Sequence, residues 1–266
     1  VDKNFCIFNG ELVKISELNN APVFAINESV KEDIRLYNTK PLCLGRHVQY
    51  MGEMLQAKEI AVPKKFTVAN LDRYIHRLLN VNKVYKGGIC TLLVFQQTFP
   101  EKAESQFCIF ISPLEELEYS FNKKGIDINF IDVYEEFLSY TPNSLFVAID
   151  TVNVPCLFDK NGHSFSTKLG DVLVFKNEEI HIGERLQPFT TYFIDYLTRK
   201  NWNITKHQYL TKKLISESSE ILLCSPFIGL YWVRRITDES KSESLSYGYK
   251  YAKQLFEELD DFLKEL

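Results

Sequence analysis

Short apolar runs alternate with polar turns along most of the chain, and helical spacing takes over in only a few stretches. Phe5–Val13 (FCIFNGELV) reads as a hairpin. Its Asn9-Gly10 pair predicts a type I′ turn, because both central positions of that turn take positive φ. Val23–Ile26 is a second apolar run. Glu32–Leu36 leads into a turn, Tyr37-Asn38-Thr39-Lys40-Pro41, that returns the chain as Leu42–Leu44. A helix is predicted from about Gly45 to Ile60, where Val48, Met51, Leu55 and Ile60 recur at loosely helical spacing and Pro63 follows. Thr67–Asn80 is predicted as a second helix, with Leu71, Ile75, Leu78 and Leu79 on one face and Asp72, Arg73, Arg77 and Lys83 on the solvated side. Ile89–Gln96 and Gln106–Ile111 read as strands separated by a turn at Pro100.

Pro113–Asn122 is polar and acidic, with Glu115, Glu116 and Glu118, and reads as a linker. The expected organisation is therefore a small α+β domain over residues 1–112, a linker over 113–122 and a larger domain over 123–266. The second part opens with a strand at Gly125–Ile131, a short helical stretch at Val133–Tyr140 and an apolar run at Leu145–Ile149. Cys156–Asp159 and His163–Thr167 form a hairpin across the turn tripeptide Lys160-Asn161-Gly162, and Val172–Phe175 is a buried strand ending in a turn at Asn177. Thr190–Arg199 is predicted as a helix with Phe193, Ile194 and Leu197 inward, its start marked by Pro188 and the Thr190-Thr191 pair. A short helix at Leu210–Ser218, a strand from Glu220 to Cys224 that continues through Ser225–Val233, and a final helix at Tyr249–Leu266 complete the reading.

Composition narrows the class. The chain has 266 residues, 45% hydrophobic and 25% charged, as a soluble globular protein does. A formal net charge of −4 with no basic stripe excludes nucleic acid and anionic membranes as expected partners. No apolar run approaches the ~20 residues of a membrane span, and no signal-peptide pattern opens the chain. The six cysteines form no CxxC pair and read as buried free thiols of a cytoplasmic protein. The five histidines show no metal-ligand spacing, so no metal is expected.

Cys156–Lys176 (CLFDKNGHSFSTKLGDVLVFK) resembles the centre of the class IV aminotransferases, the fold-type IV pyridoxal phosphate (PLP) enzymes, with their pattern LLLD-x-G-x-v-x-E-g-s-x-x-N-l-F-x-v-k. Glu32, Ile34, Arg35, Tyr37, Asn38, Lys40, Pro41 and Leu44 fit a second family frame, F-E-T-i-R-v-y-n-g-k-P-f-x-L, from which Lys31 and Asp33 depart. The resemblance implies a two-domain α+β and α/β architecture like that of D-amino acid aminotransferase. It also implies an interdomain cleft for a small molecule and a homodimer.

Against that frame the cofactor chemistry is thinned. In the family the Schiff-base lysine precedes the hairpin aspartate by an approximate interval, which counted back from Asp159 reaches Asp132, give or take several residues. No lysine occurs from Gly125 to Asp159, and Lys123, Lys124 and Lys160 bracket the run as surface charges. The H-x-x-R-L motif, whose arginine binds the PLP phosphate, becomes His47-Val48-Gln49-Tyr50-Met51. Tyr50 brings neither the charge nor the fork of a guanidinium. The glutamate that faces the pyridine nitrogen falls on Ser166 or Thr167, with Asp171 the nearest acid. The G-I-T-R phosphate loop becomes Leu186–Thr191, which keeps a helix start but loses the glycine and arginine. Ser225 stands near a family threonine.

The residual cleft positions are thus Tyr50, Ser166, Thr167, Thr190, Thr191 and Ser225, with no catalytic residue assigned and no cofactor expected. His47, Tyr231 and Trp232 read as packing residues. Of the pair Arg234-Arg235, one reads as a surface charge and the other as an ion-pair partner. Three functions stay open: a non-catalytic homologue that keeps a small-ligand cleft, a working PLP aminotransferase or aminodeoxychorismate lyase, and an enzyme with PLP-independent chemistry.

Overall fold

The computed structural model describes residues 5–18, 29–98, 103–114, 119–132, 153–158, 163–167, 170–238 and 243–265. Val23–Ile26, the Pro100 turn, the three linker glutamates, Val133–Tyr140, Leu145–Ile149 and the Lys160-Asn161-Gly162 turn lie outside these residues. The chain divides into two compact units, Val1–Glu118 and Tyr119–Leu266.

The first unit runs β1 (Phe5–Phe8), β2 (Glu11–Lys14), α1 (Ile15–Leu18), β3 (Ser29–Tyr37), β4 (Lys40–Pro41), α2 (Leu44–Ala57), α3 (Val68–Asn82), β5 (Gly87–Thr98) and β6 (Ala103–Pro113). The strands form one antiparallel sheet in the order β2-β1-β6-β5-β3-β4. Side chains alternate across it, as a pleat requires. Ile7, Leu92, Val94, Phe107 and Ile109 face the apolar stripes of α2 and α3, where Met51, Leu55, Leu71, Ile75 and Leu78 are fully buried. Cys6, Phe95 and Cys108 occupy the opposite face. Asn9 and Gly10 turn between β1 and β2 with φ of 51° and 91°, as the Asn-Gly pair requires. The helix expected to reach Ile60 stops at Ala57. Glu59 takes a left-handed φ of 57°, and Ile60 N–H closes back on the Leu55 carbonyl with its own side chain buried.

The second unit runs β7 (Ile126–Asp132), β8 (Asn153–Phe158), β9 (His163–Thr167), β10 (Asp171–Lys176), β11 (Glu179–Gly183), α4 (Pro188–Arg199), β12 (Ile204–His207), β13 (Leu210–Thr211), α5 (Lys212–Ser216), β14 (Glu220–Ser225), β15 (Gly229–Asp238), β16 (Glu243–Ser246) and α6 (Lys250–Glu265). Its strands follow the order β12-β11-β10-β14-β15-β7-β8-β9-β13, with β16 on β15. β7 is parallel to both β15 and β8. Ile128, Val172, Val174, Ile221, Leu223 and Val233 fill one face of the sheet. Over the other, Phe175 stacks on Tyr251 of α6 at 4.8 Å, and Phe189, Phe193 and Tyr196 of α4 surround Phe262.

Two expectations fail in this unit. The apolar run expected to continue straight through Ser225–Val233 reverses at residues 226–228, so β14 and β15 are an antiparallel hairpin. Gly229 closes the turn at φ 67°, where a Cβ would lie 2.9 Å from the Tyr119 ring. The helix expected from Leu210 starts two residues later, because Thr211 caps it: its hydroxyl accepts the Leu214 N–H at 3.2 Å.

Candidate functional site

The second unit builds its polar centre where three elements meet: the start of β10, the end of β14 and the start of α4. Asp171 pairs with Cys224 across the ladder. The strands approach so closely that a Cβ on Gly170 would lie 2.4 Å from the Cys224 carbonyl oxygen. Asp171 is buried, and its Oδ2 accepts the backbone N–H of Gln187, the N-cap of α4, at 2.8 Å. Burial pushes its carboxyl up to about 6, against the pull of hydrogen bonds from the Thr190 hydroxyl and the Gln187 N–H. Thr190, fully buried, also lies 3.2 Å from the Cys224 carbonyl. One hydroxyl proton serves either Asp171 or Cys224, so a protonated Asp171 donating to Thr190 satisfies all three groups. Pro188 at the first turn of α4 contributes no N–H.

Ser225 ends β14 beside this centre. Its buried hydroxyl oxygen accepts the N–H groups of Phe227 and Ile228, each at 3.4 Å, and so shapes the reversal into β15. The Tyr119 hydroxyl pins the same turn by donating to the Pro226 carbonyl.

Thr190 and Ser225, two of the positions singled out in the sequence, are thus brought together through Cys224. Thr191 turns its hydroxyl back on the Gln187 carbonyl at 3.1 Å. Asp132 ends β7 opposite Phe158, while Ser166 and Thr167 pair with Leu157 and Cys156 on the far side of β8. Lys123 and Lys124 are exposed.

Tyr50 stands exposed on α2 of the first unit. In the same helix His47 is buried, its Nδ1 2.6 Å from the Glu32 carboxylate and its Nε2 without a partner among the described residues. Trp232 is buried, as expected, and donates to the Asn122 carbonyl at 2.7 Å. The expected split between Arg234 and Arg235 fails. A bulge in β15 sets both beside buried Asp127, and both pair with it. The Arg234 bond, then that of Arg235, holds the Asp127 carboxyl below the usual range against the effect of its burial. The acid that sequence reasoning underused is Asp171. Its signal was a Gly-Asp step before a buried strand, followed by a proline-initiated helix.

No family model matches the sequence, and no curated protein matches it. Solved structures do match. A branched-chain amino acid aminotransferase from Thermobaculum terrenum, in its PLP form, superposes with a TM-score of 0.74 at 13% identity, covering 98% of this chain and 93% of that one. A putative 4-amino-4-deoxychorismate lyase from Legionella pneumophila gives 0.68 at 14% identity, with 91% and 93% covered. A branched-chain amino acid aminotransferase from a T.th. strain, solved with pyridoxamine 5′-phosphate, gives 0.71 at 14%, with 98% and 93% covered. The protein therefore has the fold-type IV architecture, and at these identities the likeness is one of fold.

Those structures also correct the expectation that no cofactor belongs to this protein, since the fold is solved with PLP and with pyridoxamine 5′-phosphate in it. At the start of α4, however, the described residues do not fit a phosphate: a buried carboxylate takes the Gln187 N–H, and the hydroxyls of Thr190 and Thr191 have partners within the chain. That mismatch is local to one helix start, and PLP remains the first ligand to test. Among the described residues no group of His, Cys, Asp and Glu is placed to hold a metal ion, and no helix is long and apolar enough to cross a membrane.

Proposed function

We propose that this aminotransferase-fold protein works without a covalent lysine, as a small-ligand-binding or repurposed homologue of the class IV enzymes. One observation carries the reading. The sequence holds no lysine from Gly125 to Asp159, and Asp132 stands on β7 where the family's interval places the Schiff-base lysine. A carboxylate has no amine with which to hold an aldehyde as a Schiff base. The proposal includes a cytoplasmic homodimer. The five described free cysteines suit a reducing compartment, and burial pushes the thiols of Cys6, Cys43 and Cys108 up to about 11, 12 and 12.

A second reading has its own support. The solved structures named above include one in its PLP form and one with pyridoxamine 5′-phosphate, which favours a working aminotransferase or lyase with a lysine supplied from another segment. Borohydride reduction of the protein after incubation with PLP, followed by peptide mass mapping, separates the two. The proposal expects no lysine modified in proportion to protein. One lysine modified stoichiometrically establishes the second reading.

A further inference from the structure

The first unit carries a concave pocket of about 350 Å³ that the reading above does not use, lined by Gly10, Glu11, Lys65, Arg73, Tyr74 and Arg77. Its volume lies within the range of small-molecule sites. Three elements build it: the β1–β2 turn, the segment before α3, and the second and third turns of α3. Arg73 and Arg77 stand one helical turn apart, on the same face. Asn70 holds the assembly in place: its Nδ2 donates to the Lys65 carbonyl at 3.2 Å, and its Oδ1 accepts from Arg73 at 3.1 Å. The Arg73 guanidinium also lies 5.5 Å from the centroid of the Tyr74 ring.

The floor is open because residue 10 is a glycine. A Cβ there would come within 2.6 Å of the Tyr74 hydroxyl oxygen. That hydroxyl makes no hydrogen bond among the described residues, and Arg77 makes neither a hydrogen bond nor an ion pair among them. Lys65 reaches the Asn9 carbonyl at 3.3 Å and Glu11 at 3.9 Å, with the glutamate side chain 77% exposed. Three cations therefore share one loosely held carboxylate, in a chain whose net charge is −4. Their mutual repulsion is relieved by an anion. The free groups are nearly all donors: two planar guanidinium forks, an ammonium and a phenol, the complement of a phosphate's oxygens.

We infer that this pocket binds a phosphate-bearing small molecule through Arg73, Arg77, Lys65 and the Tyr74 hydroxyl. The test is calorimetric titration of the full chain with pyrophosphate at low ionic strength. One site is expected, weakening as salt is added. Arg73→Glu/Arg77→Glu weakens it by more than about tenfold, as loss of charge-assisted hydrogen bonds does, while Arg77→Lys retains most of it. Arg234→Ala, in the other exposed arginine pair, leaves the affinity unchanged. Should the double charge reversal unfold the protein, Arg77→Gln gives the same reading at an exposed position. The inference is overturned by the absence of an isotherm, by a double variant that binds like the parent, or by an equal loss in Arg234→Ala. It is also overturned if pyrophosphate fails while vesicles of phosphatidylcholine and phosphatidic acid bind in an Arg77-dependent way, since the phosphate is then a lipid headgroup.

Discussion

Helices α4 and α6 begin in the same way, with a buried carboxylate from a neighbouring strand receiving the helix's free N–H groups, yet the two starts differ in how completely they are satisfied. At α6, Glu220 Oε2 accepts from both Tyr251 and Ala252, at 2.9 and 3.0 Å. At α4, Asp171 takes one N–H, and the Thr190 hydroxyl beside it is shared with the Cys224 carbonyl. Proline occupies the next position and offers nothing. One helix start is finished as structure. The other carries a carboxyl that titrates near 6, at the position where the resemblance to class IV enzymes places an asparagine. At α4 the chain places an internal carboxyl on a helix N–H that would otherwise face solvent, and burial makes its charge costly to hold.

The largest effect is expected from Asp171→Asn. Because the folded pKa is raised from 3.8 to about 6, the folded state keeps a proton that the unfolded state has released. Stability is therefore lost as pH rises through that window. Asparagine still accepts the Gln187 N–H and has no charge to bury. The variant should be more stable than the parent at pH 8, by roughly 3 kcal/mol, and equal to it near pH 4. Denaturant melts at both pH values check this, and a parent that gains stability between pH 4 and pH 8 relative to the variant would reverse the comparison. Next is Glu220→Ala, which strands two helix N–H groups and should cost about 2 kcal/mol in a denaturant melt at neutral pH. Glu220→Gln should recover most of that loss if the bonds rather than the charge matter. The smallest effect is expected from Thr190→Val, about 1 kcal/mol. It should also move the parent's pH midpoint upward, since the Thr190 hydrogen bond pulls the Asp171 carboxyl down.

Much of the framework was legible because local chemistry and tertiary demand agree. Asn9-Gly10 supplies the two positive φ values of its turn, and Thr67 caps α3 with its hydroxyl on the Asn70 N–H. The hairpin of β8 and β9 falls where the apolar runs place it. The reversal at residues 226–228 was hidden because Ser225–Val233 is apolar nearly throughout, both arms being buried, so period carries no information there. Strands β11, β12 and β16 are four or five residues long, too short for the apolar pattern to single them out, although Ile180 and Ile182 alternate inward in the first of them. The site was less legible than the fold. The resemblance brought Thr190 and Ser225 into view, but that Asp171 spends its carboxylate on α4 depends on a contact between residues 16 positions apart. The basic pocket has the same character: Arg73 and Arg77 look like an ordinary solvated helix face until Gly10 and Lys65 are placed beside them.

The central claim is that no lysine of this protein forms a covalent bond with PLP, and the visible spectrum of the protein mixed with an equimolar amount of PLP tests it most directly. The account predicts a spectrum equal to that of protein plus free or non-covalently held PLP, unchanged on adding an amino acid. A new absorption band that persists through gel filtration, and that an amino acid then converts to the pyridoxamine form, would contradict it.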